Sequence, residues 1–221
     1  MNHLWCILLI TFFQCMSSNN LYSQNCYKSD LDESTIARIT GLSFPSSPHN
    51  DITYSDLSLL HIIYYDFLGN VQWGEMVCNI MIANDLIEIF DSLFEAKYPI
   101  EKIRLIDDYN ADDEKSCRDN NSSSFCYRKI SYSNKLSTHS LGMAVDINPL
   151  YNPYIKTITT NGKSSIFVSP ANAGQYTDRS LPCKYYIKSG DIIVKLFKQH
   201  GFQWGGDWRS VKDFQHFEKA Q

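Results

Sequence analysis

Two imidazoles and two carboxylates near the C-terminal half of the chain have the types and spacing for metal chemistry. His139 and Asp146 have six residues between them in Ser137-Thr-His139-Ser-Leu-Gly142-Met-Ala144-Val-Asp146, and Asp213 precedes His216 by three in Asp213-Phe-Gln-His216-Phe-Glu218. Two His nitrogens and one carboxylate oxygen, from His139, Asp146 and His216, make three ligands for Zn2+. Three protein ligands leave the fourth position for a water that the metal acidifies, which is the pattern of a catalytic rather than a structural site. The spare carboxylate, Asp213, then has work as a general base, taking a proton from the attacking water and passing it to a leaving amine. No protein nucleophile is required.

The elements that must position these groups follow from periodicity. Leu57 to Phe67 is a nearly continuous apolar and aromatic run, punctuated by Gly69-Asn70 before Val71 to Val77, and this reads as a β-hairpin. Ile82, Leu86, Ile89, Phe90 and Leu93 recur at helical spacing, so a helix covers one face of the sheet. Ile103, Leu105 and Ile106 read as a strand, the acids crowded between Asp107 and Glu114 as a solvated loop, and Asn120 to Ser124 as its continuation. The alternation around His139 to Ile147 predicts a strand pair carrying the first two ligands, with His139 near its start. Gly142 and Ala144 permit close backbone approach there, and Gly205-Gly206 between two Trp residues reads as a turn beside a cleft.

Tyr151 to Pro170 is expected to be a long substrate-side loop. A helix follows from about Asp191 to Gln199, with Ser189 as N-cap and Gly201 as its stop. Asp213 to Glu218 is a turn and strand, on which His216 and Glu218 share a face, so Glu218 is placed to orient His216 or else is a plain surface residue.

At 221 residues the length suits one domain, and 43% hydrophobic with 14% aromatic content is ample for a core. A formal charge of −4 without a basic cluster argues against nucleic acid as a partner. The apolar run Leu4 to Phe13 is too short to span a bilayer and has the size of a signal-peptide core, so residues 1–23 are expected to be removed on export and no integral membrane span is expected. A polar, loop-like lead occupies 24–55, and the catalytic domain 56–221. Cys26, Cys78, Cys117, Cys126 and Cys183 remain after such processing. Cys117 and Cys126 could close a short disulfide or stay as free thiols, and no C-x2-C spacing supports a cysteine-type zinc site.

From about Asn79 to Glu218 the chain resembles the zinc D-alanyl-D-alanine carboxypeptidases and L-alanyl-D-glutamate endopeptidases that cut bacterial cell-wall stem peptides. The matching pieces are Asn120-Asn-Ser-Ser-Ser-Phe125-Cys-Tyr-Arg128, the His139 to Pro149 segment, Tyr176-x-Asp178-Arg179, and Gly201-Phe-x-Trp204-Gly-Gly-Asp-Trp208 through Glu218. The resemblance implies zinc on His139, Asp146 and His216, Asp213 as base, and Arg128 polarising the scissile carbonyl, a role that fixed guanidinium donors suit. A salt bridge to the upstream acids is the other reading of Arg128. Ser137, Trp204, Trp208 and Tyr154 are expected on the substrate side, the aromatics packing on the peptide. Cys126 stands where a small polar residue is expected.

The family further implies an α+β single domain, an antiparallel sheet with flanking helices of the zinc DD-peptidase/hedgehog-like type, acting as a monomer on a peptidoglycan stem peptide. Asp at the base position resembles the endopeptidase branch, which makes L-Ala-D-Glu cleavage the expected activity and D-Ala-D-Ala carboxypeptidase the alternative. A zinc-holding wall-binding module without turnover would lack the base or the arginine, and this chain has both.

Overall fold

The computed structural model describes residues 25–47, 51–130, 134–160 and 162–220. The apolar run at Leu4 to Phe13 lies outside these residues.

The chain starts by adding an edge to its central hairpin. Strand β1 (Tyr27–Ser29) pairs antiparallel with β2 (Leu57–Tyr65), in the register Tyr27↔His61. Between them lies helix α1 (Glu33–Ile39), whose N-cap Asp32 accepts from Thr35 N at 2.7 Å. The lead read as loop-like therefore holds a strand and a helix, and its Cys26 lies in the main core. Polar composition concealed this, because a three-residue strand needs only backbone pairing with a neighbour that the sequence places thirty residues away.

The hairpin is as predicted. β2 pairs with β3 (Val71–Asn79) from Leu57↔Asn79 to Tyr65↔Val71, and Asp66 ties the connection by accepting from Leu68 N and Asn70 N. Helix α2 (Ile80–Glu95) follows without a loop, because Asn79 turns the chain and accepts from Met81 N at 3.0 Å. Its apolar face, Ile82, Ala83, Leu86, Ile89, Phe90 and Leu93, is buried against the hairpin.

The strand expected at Ile103 to Ile106 is shorter than predicted. Only Lys102–Ile103 forms β4, and Ile106–Tyr109 is a 3-10 turn. The acidic stretch is not a plain solvated loop either. Asp107 is buried and accepts from Ser43 N and Oγ, both at 3.0 Å, and Asp112 caps helix α3 (Asp113–Arg118). The Asn/Ser tract beyond it is also buried: Asn121–Ser122 form β5, parallel to β4, and the Asn121 amide bonds both Arg104 N and Arg104 O. Amide side chains standing in for backbone partners make a polar tract compatible with the interior.

The remaining strands are short and fall into separate sheets. β6 (Ala144–Asp146) pairs with β11 (His216–Glu218), which also pairs with β9 (Gln203–Trp204). β7 (Tyr154–Thr160) and β8 (Lys163–Ser169) form a hairpin where a loop was expected, and β10 (Lys212–Asp213) pairs with β7. Helix α4 (Ile192–Gln199) has Asp191, not Ser189, at its N-cap position, without a side-chain cap, and stops at Gly201 in the left-handed region, as predicted. Among the described residues the result mixes helix with three antiparallel sheets and one parallel pair, in place of the one antiparallel sheet expected. No helix among the described residues is long and apolar enough to cross a membrane. Cys117 and Cys126 are buried free thiols, as are Cys26 and Cys78.

Candidate metal centre

His139 sits on a 3-10 turn (Thr138–Leu141), not on the strand predicted for it. Ser137 caps that turn, with Oγ accepting from His139 N at 3.3 Å, and Gly142 closes it at φ 65° while donating to His139 O. A Cβ on Gly142 would lie 2.6 Å from Asn79 N, so only glycine lets this turn dock on the start of α2. Asn79 completes the dock, donating from its backbone to Gly142 O and from its side chain to Leu141 O.

Asp146 ends β6, held on one side by the reciprocal backbone pair with Ser123 and on the other by β11, where it faces His216 directly. Residues seventy apart thus become cross-strand neighbours. His139 Nε2 lies 3.2 Å from His216 Nδ1 and 3.2 Å from Asp146 Oδ2, and His216 Nδ1 lies 3.1 Å from Asp146 Oδ1. All three residues are buried.

The far nitrogen of each ring is held as well. His139 Nδ1 faces Ser124 O at 2.6 Å, and His216 Nε2 faces Glu218 Oε2 at 3.2 Å, with Thr138 Oγ1 donating to the same oxygen at 2.8 Å. Acceptors at those positions place the N–H on the outer side of each ring and turn a lone pair inward, toward the Asp146 carboxylate. Three inward-facing lone-pair donors repel one another unless a proton or a cation lies between them. Zinc at 2.0 to 2.1 Å from its ligands would want them about 3.3 Å apart; the two nitrogens are 3.2 Å apart, and each has one of the two Asp146 oxygens at 3.1 to 3.2 Å. The donor set fits zinc in number, chemistry and separation. Glu218 is thus the orienting partner the strand geometry suggested, whereas the Ser124 carbonyl was missed, since a backbone acceptor leaves no mark in the sequence.

The electrostatics carry the same signature. Burial works against charge on His216, but hydrogen bonds to Asp146 and Glu218 outweigh it and push the imidazole up to about 10. Burial likewise opposes ionisation of Asp146, and the two imidazoles overcome it, holding its carboxyl well below the usual range. Burial pushes Asp213 up to about 7, with the charge of Asp146 adding and His216 opposing. Asp213 Oδ1 has no hydrogen-bond partner. A Cβ on Gly205 would come within 2.5 Å of Asp213 O and 2.8 Å of its Cβ, so the Gly205 turn is what admits Asp213 to this place.

Arg128 pairs through Nη2 with Asp113 Oδ2 at 3.0 Å, while its Nε is buried without a partner. The ion pair to the acidic stretch is formed, and one donor of the guanidinium is left over. Its backbone is fastened to the His139 turn through Ser140 Oγ and Ser137 N. Trp208 stands with its ring 5.3 Å from that of His216, and Tyr154 faces Asp213 across β7 and β10. Trp204 is buried, packs its ring tightly against Gly206 and donates to Phe214 O at 2.9 Å. Ser137 is buried as the cap already described.

A family model described as D-alanyl-D-alanine carboxypeptidase matches residues 131–219, a span that contains His139, Asp146, Asp213, His216 and Glu218. The chain is a zinc-dependent peptidase. Arg128 falls outside the matched span of the peptidase and stands on its geometry alone. No solved structure matches the chain.

Proposed function

We propose that this peptidase hydrolyses the L-Ala-D-Glu bond of the peptidoglycan stem peptide, within a fold of the zinc DD-peptidase/hedgehog-like type. The convergence of His139, Asp146 and His216, whose ligand atoms all lie within 4.8 Å of one another, carries the reading. Zinc held by His139, Asp146 and His216 would supply an acidified water and a Lewis acid for the carbonyl. Asp213, with its unpartnered oxygen and raised proton affinity, takes a proton from the attacking water and returns it to the leaving amine. Arg128 keeps Nε free for the oxyanion while Asp113 fixes the rest of the guanidinium. Trp208 and Tyr154 flank the peptide.

The choice of bond rests on the cations available for a terminal carboxylate. A carboxypeptidase needs one beyond the scissile bond. Arg179 is spent: its guanidinium donates to Tyr151 O, Asn152 Oδ1 and Ile187 O, and is stacked 3.7 Å from the Tyr186 ring centroid and 4.2 Å from that of Phe214. That leaves the exposed Arg209 among the motif arginines. The carboxypeptidase reading is favoured by the description of the matching family and stays as the second reading. Mass spectrometry of fragments from purified peptidoglycan separates them. We expect a new D-Glu N-terminus and little free D-Ala, whereas release of D-Ala alone from stem pentapeptide overturns the endopeptidase assignment.

A further inference from the structure

The β1-β2-β3 sheet has an outward face that is only half covered. Leu57, Leu59 and Val77 are packed under the second apolar cluster, but further along the same alternation His61, Glu75 and Trp73 emerge, with Tyr27 opposite His61 in the register. They line a cleft of about 400 Å³ together with Arg38, Arg104 and Asp108. This volume is within the range of small-ligand sites. The cleft shares no residue with the metal centre.

Its walls have a definite chemistry. Tyr27 stacks on His61 at 4.3 Å and lies 6.1 Å from Trp73, yet Tyr27 and Trp73 remain 52% and 51% exposed, so a run of aromatic faces is presented to solvent and not spent on the core. Arg38 is bridged by Glu75 at 2.7 Å and by Asp108 at 2.6 Å, which neutralises the rim instead of tuning it to an ion. A Cβ on Gly74 would meet Ile103 O at 2.5 Å, and this close packing of β4 on β3 brings the exposed Arg104 to the edge of the cleft.

Exposed aromatic faces beside neutralised but hydrogen-bonding charges suit a flat ligand with C–H groups on its faces and hydroxyl or amide groups on its edge. A nucleic acid or other polyanion would want net positive charge, and an apolar protein surface would want an apolar rim. We infer that this cleft binds a saccharide, the N-acetylated β-1,4 glycan strand of the wall polymer, with Trp73 and Tyr27 stacking on sugar rings and Arg104 and Glu75 bonding the acetamido and hydroxyl groups. The inference rests on the peptidoglycan reading above and deepens it, since the glycan carries the stem peptide and a second grip would hold the polymer beside the metal centre.

The test titrates the full chain with β-1,4 N-acetylglucosamine oligomers and with glycan strands stripped of peptide, following tryptophan fluorescence. Saturable binding is expected, weakened about tenfold or more by Trp73→Ala and by Arg104→Ala, and largely restored by Trp73→Tyr. Both alanine variants change exposed side chains, and their melting temperatures check that the fold is kept. Absence of saturable binding to either probe, or unaltered binding by a folded Trp73→Ala, overturns the inference. Cleavage of soluble stem peptide by the wild-type chain is measured in parallel. Cleavage without glycan binding removes only the saccharide site, and glycan binding without cleavage removes only the stem-peptide assignment.

Discussion

At the scale of single residues, ligand and base should fail differently when removed. His216→Ala takes away one of three donors whose separations match a zinc tetrahedron, and bound zinc, about one per chain in the wild type, should fall to a small fraction by metal analysis. Asp213→Asn leaves the three donors in place, so zinc should be retained while turnover drops roughly a hundredfold. Near-normal turnover in that variant would move the base to another group, with Glu218 next in line. The imidazole of His216 also predicts a pH response. Its affinity for a proton is raised from 6.5 to about 10 in the metal-free fold, so the folded chain holds a proton that the unfolded chain releases, and stability falls as pH rises through that window. Asp213 acts in the same direction at lower pH. The melting temperature of chelator-treated protein should therefore be lower at about pH 9 than at about pH 6.5, and saturating zinc, which takes the place of the proton, should remove the decline.

At the scale of elements, the centre depends on two glycine contacts that bring segments into register. Gly205→Ala drives a methyl into Asp213 O and Cβ, at 2.5 and 2.8 Å. Relief requires moving β10, and overpacking of this kind costs about 1 to 3 kcal/mol. The expected outcome is a lower melting temperature together with reduced turnover, with zinc still bound because His139, Asp146 and His216 lie on other strands and turns. A wild-type rate and melting temperature would show that the Gly205 contact does not fix the base. The long elements were legible because apolar residues mark them: β2 and β3 fall where the apolar run broken by Gly69-Asn70 put them, and α2 where helical spacing did. The short ones were not. The turn under His139 and the two-residue β4, β5, β9 and β10 have no periodicity to show, and exist only because a neighbouring segment offers backbone partners.

For the whole molecule, the proposed substrate lies outside the cytoplasm, which agrees with the signal-like run Leu4 to Phe13. N-terminal sequencing of the protein recovered from its producing cells should find a start near Gln24. Recovery of the Met1 form alone from the cytoplasmic fraction would remove the export proposal. That start also suits the fold, since Cys26 and β1 immediately after it are anchored in the main core and the hairpin sheet. The disulfide considered for Cys117 and Cys126 is not formed. Both thiols are buried, and burial first, then the nearby Asp113 charge, pushes each upward, so neither presents a ready thiolate.

The sequence by itself determined the candidates: which side chains could hold a metal, which carboxylate is spare, and that the hairpin and α2 form the frame. These are properties of residue type and of short-range spacing, which the chain carries before it folds. Only the tertiary structure decided how the groups meet. The facing of His216 and Asp146 is a strand register between segments seventy residues apart, and the Ser124 carbonyl that sets the His139 ring is a backbone atom common to every residue. Trp204 and Arg179 show the same limit from the other side. Their types suited a substrate cleft and a carboxylate clamp, but the folded chain had already taken their faces and donors, through Gly206 and Phe214 for Trp204 and through Tyr151, Tyr186 and Ile187 for Arg179.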